Sequence, residues 1–273
     1  RASHDENPLH WDAHHARRSP YGRPVCYGMA AVLRALVLAC GDRPTRLRSL
    51  RCDFRKALFP DTGYRLDIEE RGEERRLRIG RGPVDHLRVV IEAVPWDGSA
   101  EPAGSTGPAG SAVPAGSAGS RPPAPVTFQP RTEAAEEPQG LARRIHYAVD
   151  PAALSALAQA FECRPGAFPA QQLTMLLWLS YHVGMEMPGR QALFADARIR
   201  FGERPVDAPA LDLELAAASF DERFNRYSLA GQGPGIEQLA LSAFRRPPPV
   251  IAAGQALPAL APGERPLAGK QVL

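Results

Sequence analysis

Cys26-Tyr27-Gly28-Met29-Ala30-Ala31-Val32-Leu33-Arg34-Ala35-Leu36-Val37-Leu38-Ala39-Cys40 carries a single charged side chain, Arg34. Met29, Val32, Leu33, Leu36, Val37 and Cys40 recur at helical spacing, and a helix apolar on most sides must be enclosed by the rest of the fold. A second run of the same character spans Ala170 to Gly184, with Leu173, Leu176, Leu177, Leu179 and Val183. Trp178 and Tyr181 fall inside it and read as core. A further helix is expected over Asp150 to Phe161.

Around these helices the pattern changes to period two. Tyr64, Leu66 and Ile68, or Leu211, Leu213 and Leu215, place one face of a strand in a core and the other in water. Strands are expected at Leu47–Phe54, Tyr64–Glu70, Arg75–Gly80 and Leu87–Val94. A second set is expected at Gln191–Phe201, Leu211–Ala217, Arg223–Ala230 and Ile236–Phe244. The two sets repeat one another, and Leu66-Asp67-Ile68-Glu69 reads like Leu211-Asp212-Leu213-Glu214. The fold class is α+β, with two antiparallel sheets each around a long buried helix.

Glu101 to Pro125 collapses into Ala, Gly, Ser and Pro, a composition unable to bury enough apolar surface to order itself. The chain therefore divides into a first repeat at 1–96, a linker at 97–125, a second repeat at 126–246 and a Pro-rich tail at 247–273. It starts at Arg1 and reaches its most informative motif almost at once, which reads as a piece excised from a larger polypeptide.

That motif is Asp5-Glu6-Asn7-Pro8-Leu9-His10. Asn-Pro disfavours helix at Asn7 and starts a turn, so a carboxylate and an imidazole five positions apart can fold toward one point. A loop, Ser19-Pro20-Tyr21-Gly22-Arg23-Pro24-Val25, then leads to the buried helix. The combination resembles the MaoC-like hydratase 2 branch of the hotdog fold, most closely over residues 3 to 60. The resemblance implies a double hotdog in which Asp5 and His10 are the catalytic acid and base. It also implies that the backbone N–H near Gly28 receives a thioester oxygen and that Asn7 is a supporting polar group. The implied reaction is R-specific hydration of a 2-enoyl thioester, or dehydration of a 3-hydroxyacyl thioester, without a cofactor. Its substrate would be carried by coenzyme A or an acyl carrier protein. The linker and tail favour the carrier protein and a modular setting such as polyketide or specialised fatty-acid assembly. Two positions depart from the family pattern: His4 stands where glycine usually precedes the aspartate, and Tyr27 where histidine usually precedes the helix glycine.

Before the second buried helix the chain reads Glu162-Cys163-Arg164-Pro165-Gly166-Ala167-Phe168-Pro169, with no counterpart of the motif. The second repeat is expected to keep the fold, lose the chemistry and wall an acyl tunnel. Arg17, Arg18 and Arg23, between motif and helix, are candidates for the phosphates of coenzyme A or a pantetheine arm, since a guanidinium suits bidentate phosphate contacts.

Other classes fit less well. His10 and His14 share an i,i+4 spacing, with His4, His15 and Asp12 nearby, but no H-E-x-x-H pattern follows and no metal is expected. Cys26, Cys40, Cys52 and Cys163 lack C-x-x-C spacing and read as free thiols. The net charge of +3 rests almost wholly on arginines without a clustered stripe, which argues against nucleic acid. No apolar run reaches the ~20 residues of a membrane span. The expected setting is cytoplasmic, in a homodimer or a larger multidomain chain. A non-catalytic hotdog module that binds acyl thioesters or mediates assembly is the rival reading.

Overall fold

The computed structural model describes residues 2–41, 43–98, 128, 130–133, 144–204, 206 and 208–247. The expected linker beyond Gly98, up to 125, and the tail beyond Pro247 lie outside the described residues. The chain opens with a 3-10 turn, Pro8–His10, and a short helix α1, Ala13–Arg17. Helix α2 (Gly28–Cys40) follows, then strands β1 (Thr45–Phe54), β2 (Arg65–Arg71), β3 (Glu74–Arg81) and β4 (Val84–Pro95). The second half runs β5 (Arg144–Ala148), α3 (Pro151–Ala160), α4 (Ala170–Tyr181), β6 (Ala192–Phe201), β7 (Ala210–Asp221), β8 (Arg226–Gly233) and β9 (Ile236–Arg245).

All nine strands belong to one antiparallel sheet, ordered β2-β3-β4-β1-β6-β9-β8-β7-β5. The two expected sheets thus meet edge to edge, because β1 pairs with β6 from Ser49↔Arg200 to Asp53↔Asp196. Counted outward from that seam, the first half runs β1, β4, β3, β2 and the second β6, β9, β8, β7. The repeat seen in sequence is therefore a repeat of topology, with Leu66-Asp67-Ile68-Glu69 on β2 and Leu211-Asp212-Leu213-Glu214 on β7. Strand β5 adds an outermost partner to β7 that has no counterpart among the described residues of the first half. Alternation did not reveal it, since Arg144-Ile145-His146-Tyr147-Ala148 is short and buries only Tyr147. The strand expected at Arg223 begins instead at Arg226, because the chain turns through Asn225 at φ 49°.

One cross-sheet row shows how the core forms. Ile68, Leu77, Val89, Cys52, Ala197, Leu241 and Leu229 are successive partners across seven strands. All but Ile68, near the sheet edge, are buried, and they face α2 and α4 in a single apolar core. The rows on either side carry the arginines and carboxylates. The register of β1 slips by one residue between Leu47 and Ser49, which lets both Leu47 and Leu50 point inward.

The slip leaves Leu47 without a partner on β6. Gln172, on α4, fills the gap: its Oε1 accepts from the Leu47 N–H at 2.9 Å and its Nε2 donates to the Leu47 carbonyl at 2.8 Å. A helix of the second half is so tied to a strand of the first. Gln172→Leu should strip two buried backbone groups of their partners and lower unfolding free energy by about 3 kcal/mol. Urea denaturation of the two proteins checks this; equal midpoints would contradict it.

Candidate active site

Asp5, Asn7, His10 and Gly28 line one cavity of ≈ 580 Å³. The motif and the start of α2 are thus brought together. Asn7 organises the motif. Its Oδ1 accepts from the Leu9 N–H at 3.1 Å, capping the 3-10 turn, and Pro8 occupies the first position of that turn. Its Nδ2 donates to the carbonyls of Gly184 (3.0 Å) and Gly189 (3.3 Å), both in the second half.

Asp5 is 2 % exposed. Its Oδ1 accepts from the Asn7 N–H at 3.1 Å and its Oδ2 from the Ser180 hydroxyl at 2.7 Å. Burial raises its pKa above the ordinary value of 3.8, against the pull of His10 and these two hydrogen bonds. His10 Nδ1 lies 2.9 Å from the Val25 carbonyl. A carbonyl can only accept, so Nδ1 carries the hydrogen and Nε2 is left to exchange a proton. Burial lowers the His10 pKa below 6.5, opposed by Asp5 and the Val25 carbonyl and assisted by the charge of Arg246.

Tyr27 and His4 both pack around the motif. The Tyr27 ring stacks on His10 with centroids 4.0 Å apart, and its hydroxyl donates to the Asp5 carbonyl at 3.1 Å. His4 holds φ 56°, a left-handed conformation that glycine adopts more readily, and its ring packs on Phe128 and Tyr147.

Helix α2 starts at Gly28 with no side chain capping it, so its first amides are open to a ligand and its dipole favours negative charge there. A Cβ on Gly28 would fall 2.6 Å from Cε1 of Phe54, a neighbour in the cavity wall. Phe54 in turn lies 4.8 Å from Phe194, so the apolar wall is built by both halves.

The sequence reading missed Ser180 and Gly184. At Gly184 the helix has passed into a π turn, His182–Glu186, and a Cβ there would sit 2.5 Å from Asp5 Oδ1. A serine and a glycine at i,i+4 within a leucine-rich run were the available signal. Arg55 and Lys56, at the end of β1, also line the cavity and were missed. Arg17 and Arg18 do not line it; both are exposed on or just after α1. Arg23 is exposed and lies 4.0 Å over the ring of Phe59, a wall residue. Asp12 caps α1 through the His14 and His15 amides. Among the described residues no group of three or more His, Cys, Asp or Glu side chains is placed to hold a metal, and no helix is long and apolar enough to cross a membrane.

The family model of the MaoC like domain matches residues 1–88. No curated protein matches the chain. Among solved structures it is similar to the acyl-CoA thioesterase II TesB2 of Mycobacterium marinum (15 % identity, 82 % of this chain and 91 % of that one, TM-score 0.39). It is likewise similar to HtdX of Mycobacterium tuberculosis (12 %, 85 % and 94 %, 0.42) and a MaoC-like dehydratase of Phytophthora capsici (12 %, 75 % and 69 %, 0.36).

Burial of Asp5 has a measurable signature. A carboxyl whose folded pKa is raised costs no stability below 3.8, where both states are protonated, and costs progressively more as the folded protein is made to ionise. Asp5→Asn keeps the amide and hydroxyl contacts without the charge. It should melt higher than the wild type at neutral pH, with the gain vanishing below 3.8. A gain independent of pH would contradict the assignment.

Proposed function

We propose that this cavity hydrates 2-enoyl thioesters, or dehydrates 3-hydroxyacyl thioesters, with R stereochemistry. The observation that carries the reading is the convergence of Asp5, His10 and the open start of α2 on one largely apolar cavity. Hydration needs a group to take a proton from water attacking C3, a group to deliver one to C2, and donors for the charge that builds on the thioester oxygen. Asp5 and His10 exchange the proton. Burial disfavours the charged form of each, raising the Asp5 pKa and lowering that of His10, which brings the two closer together. The amides at Gly28 and Met29 receive the oxygen, and one such preorganised donor is worth ~3 kcal/mol of barrier. Dehydration uses the same groups in reverse.

Val25, Met29, Phe54, Phe194 and Phe244 give the acyl chain an apolar bed. The MaoC-like match over residues 1–88 supports a thioester as the substrate. Its carrier, coenzyme A or an acyl carrier protein, would present phosphate to Arg23, Arg55 and Lys56 in preference to Arg17 and Arg18. A setting in polyketide or specialised fatty-acid assembly is consistent with the linker and tail compositions.

Crotonyl-coenzyme A hydration, followed by loss of the conjugated absorbance, tests the reading. Asp5→Asn and His10→Ala should each lower kcat/KM by roughly 10²–10⁴, and the double variant little further because the pair acts as a unit. Gly184→Ala should lose roughly 10²-fold, because its methyl would fall 2.5 Å from Asp5 Oδ1 and push the carboxyl out of place. Equal rates in wild type and the double variant would refute the proposal.

A further inference from the structure

Strand β9 ends at Arg245, and the next residue leaves the sheet beside the cavity. The backbone N–H of Arg246 donates to the Gln191 carbonyl at 3.0 Å, which fixes where its side chain begins. Its guanidinium carbon lies 5.6 Å from the centre of the Tyr21 ring, and Tyr21 is part of the cavity wall. Nε and Nη2 are both buried, and neither has a hydrogen-bond acceptor among the described residues. No described carboxylate forms an ion pair with it, and burial pulls its pKa below the ordinary value of 12.5. Its own charge reaches His10.

Burying a guanidinium without an anion is unfavourable, and its fork of N–H groups is shaped for carboxylate or phosphate oxygens. The other arginines of this fold show the contrast. Arg51, Arg65, Arg71, Arg76 and Arg88 each grip a carboxylate at the surface, where the pairing matters least. Arg246, the partly buried one beside the catalytic pair, is left without such a partner among the described residues.

We propose that Arg246 is a binding residue for an anionic oxygen group, carboxylate or phosphate, carried by the molecule that occupies the cavity. A carboxylate would belong to the acyl part and a phosphate to the carrier. The group would complete the guanidinium's hydrogen bonds beside Tyr21, which lines the cavity together with His10. Arg246 then selects what enters and takes no part in proton transfer.

The choice of probes rests on the thioester reading, and the measurement is made independent of turnover by using saturated acyl groups. Calorimetric titration of the full chain would compare butyryl- and succinyl-coenzyme A with the butyryl and succinyl thioesters of N-acetylcysteamine, which carry no phosphate. Arg246→Gln should weaken binding of the anionic ligands roughly tenfold or more, while leaving the neutral butyryl N-acetylcysteamine thioester within about twofold. Arg246→Lys, which keeps the charge, should recover part of the loss. A loss confined to the succinyl pair assigns the anion to the acyl chain, and one confined to the coenzyme A pair assigns it to the carrier; either supports the proposal. Equal weakening of all four ligands, no weakening of any, or a wild type that binds none would overturn it. Selective losses in a protein inert toward crotonyl-coenzyme A would sink the hydratase reading and leave the anion site standing.

Discussion

A carboxylate almost wholly withdrawn from water sits where the two halves of one sheet meet, and much of the local structure exists to hold it there. Burying a carboxyl is unfavourable unless its oxygens are hydrogen-bonded, so each oxygen of Asp5 needs a donor. The first half meets one oxygen with the Asn7 amide, and the second meets the other with the Ser180 hydroxyl. Asn7 reaches across to two carbonyls of the second half, and Gly184 must lack a side chain for the carboxylate to fit. The motif can be read in six residues, but its geometry is only realised against a helix some 175 positions later.

That dependence explains the odd end of α4. A regular helix continuing from Tyr181 would keep its carbonyls engaged in its own ladder. The π turn at His182–Glu186 loosens the ladder and offers the Gly184 carbonyl to Asn7, in keeping with the association of such bulges with functional sites. Gln172 performs the same bridging one turn from the other end of the helix, where it satisfies the β1 irregularity. Helix α4 is thus a brace between halves as well as the core of its own.

What the sequence disclosed follows from how local each signal was. Largely apolar runs marked α2 and α4, because an enclosed helix tolerates a polar side chain only where a partner meets it, as Gln172 and Ser180 show. Alternation marked most strands, and the pairing of Leu66 to Glu69 with Leu211 to Glu214 correctly equated β2 with β7. Asp5, Asn7, His10 and Gly28 were legible because turn chemistry and helix start fix their types at short range. Ser180, Gly184, Arg55 and Lys56 were not, since each matters only through a contact between distant segments. The joining of β1 to β6 was invisible for the same reason: an edge strand and an internal strand share one alternating pattern.

The halves have the same topology, yet their loops ahead of the buried helices have gone opposite ways. Ahead of α2 the chain spends its polar residues on a hollow: Tyr27, Asn7 and Val25 hold Asp5 and His10 around space. Ahead of α4 the equivalent stretch is filled, with Ala167 and Phe168 buried and the Ala167 carbonyl accepting from the Thr45 N–H at 2.7 Å. Filling one loop and hollowing the other is what a shared core permits. The asymmetry leaves the second half free to supply Ser180, Gly184, Phe194 and Phe244 to a cavity whose proposed acid, base and oxyanion donors all belong to the first.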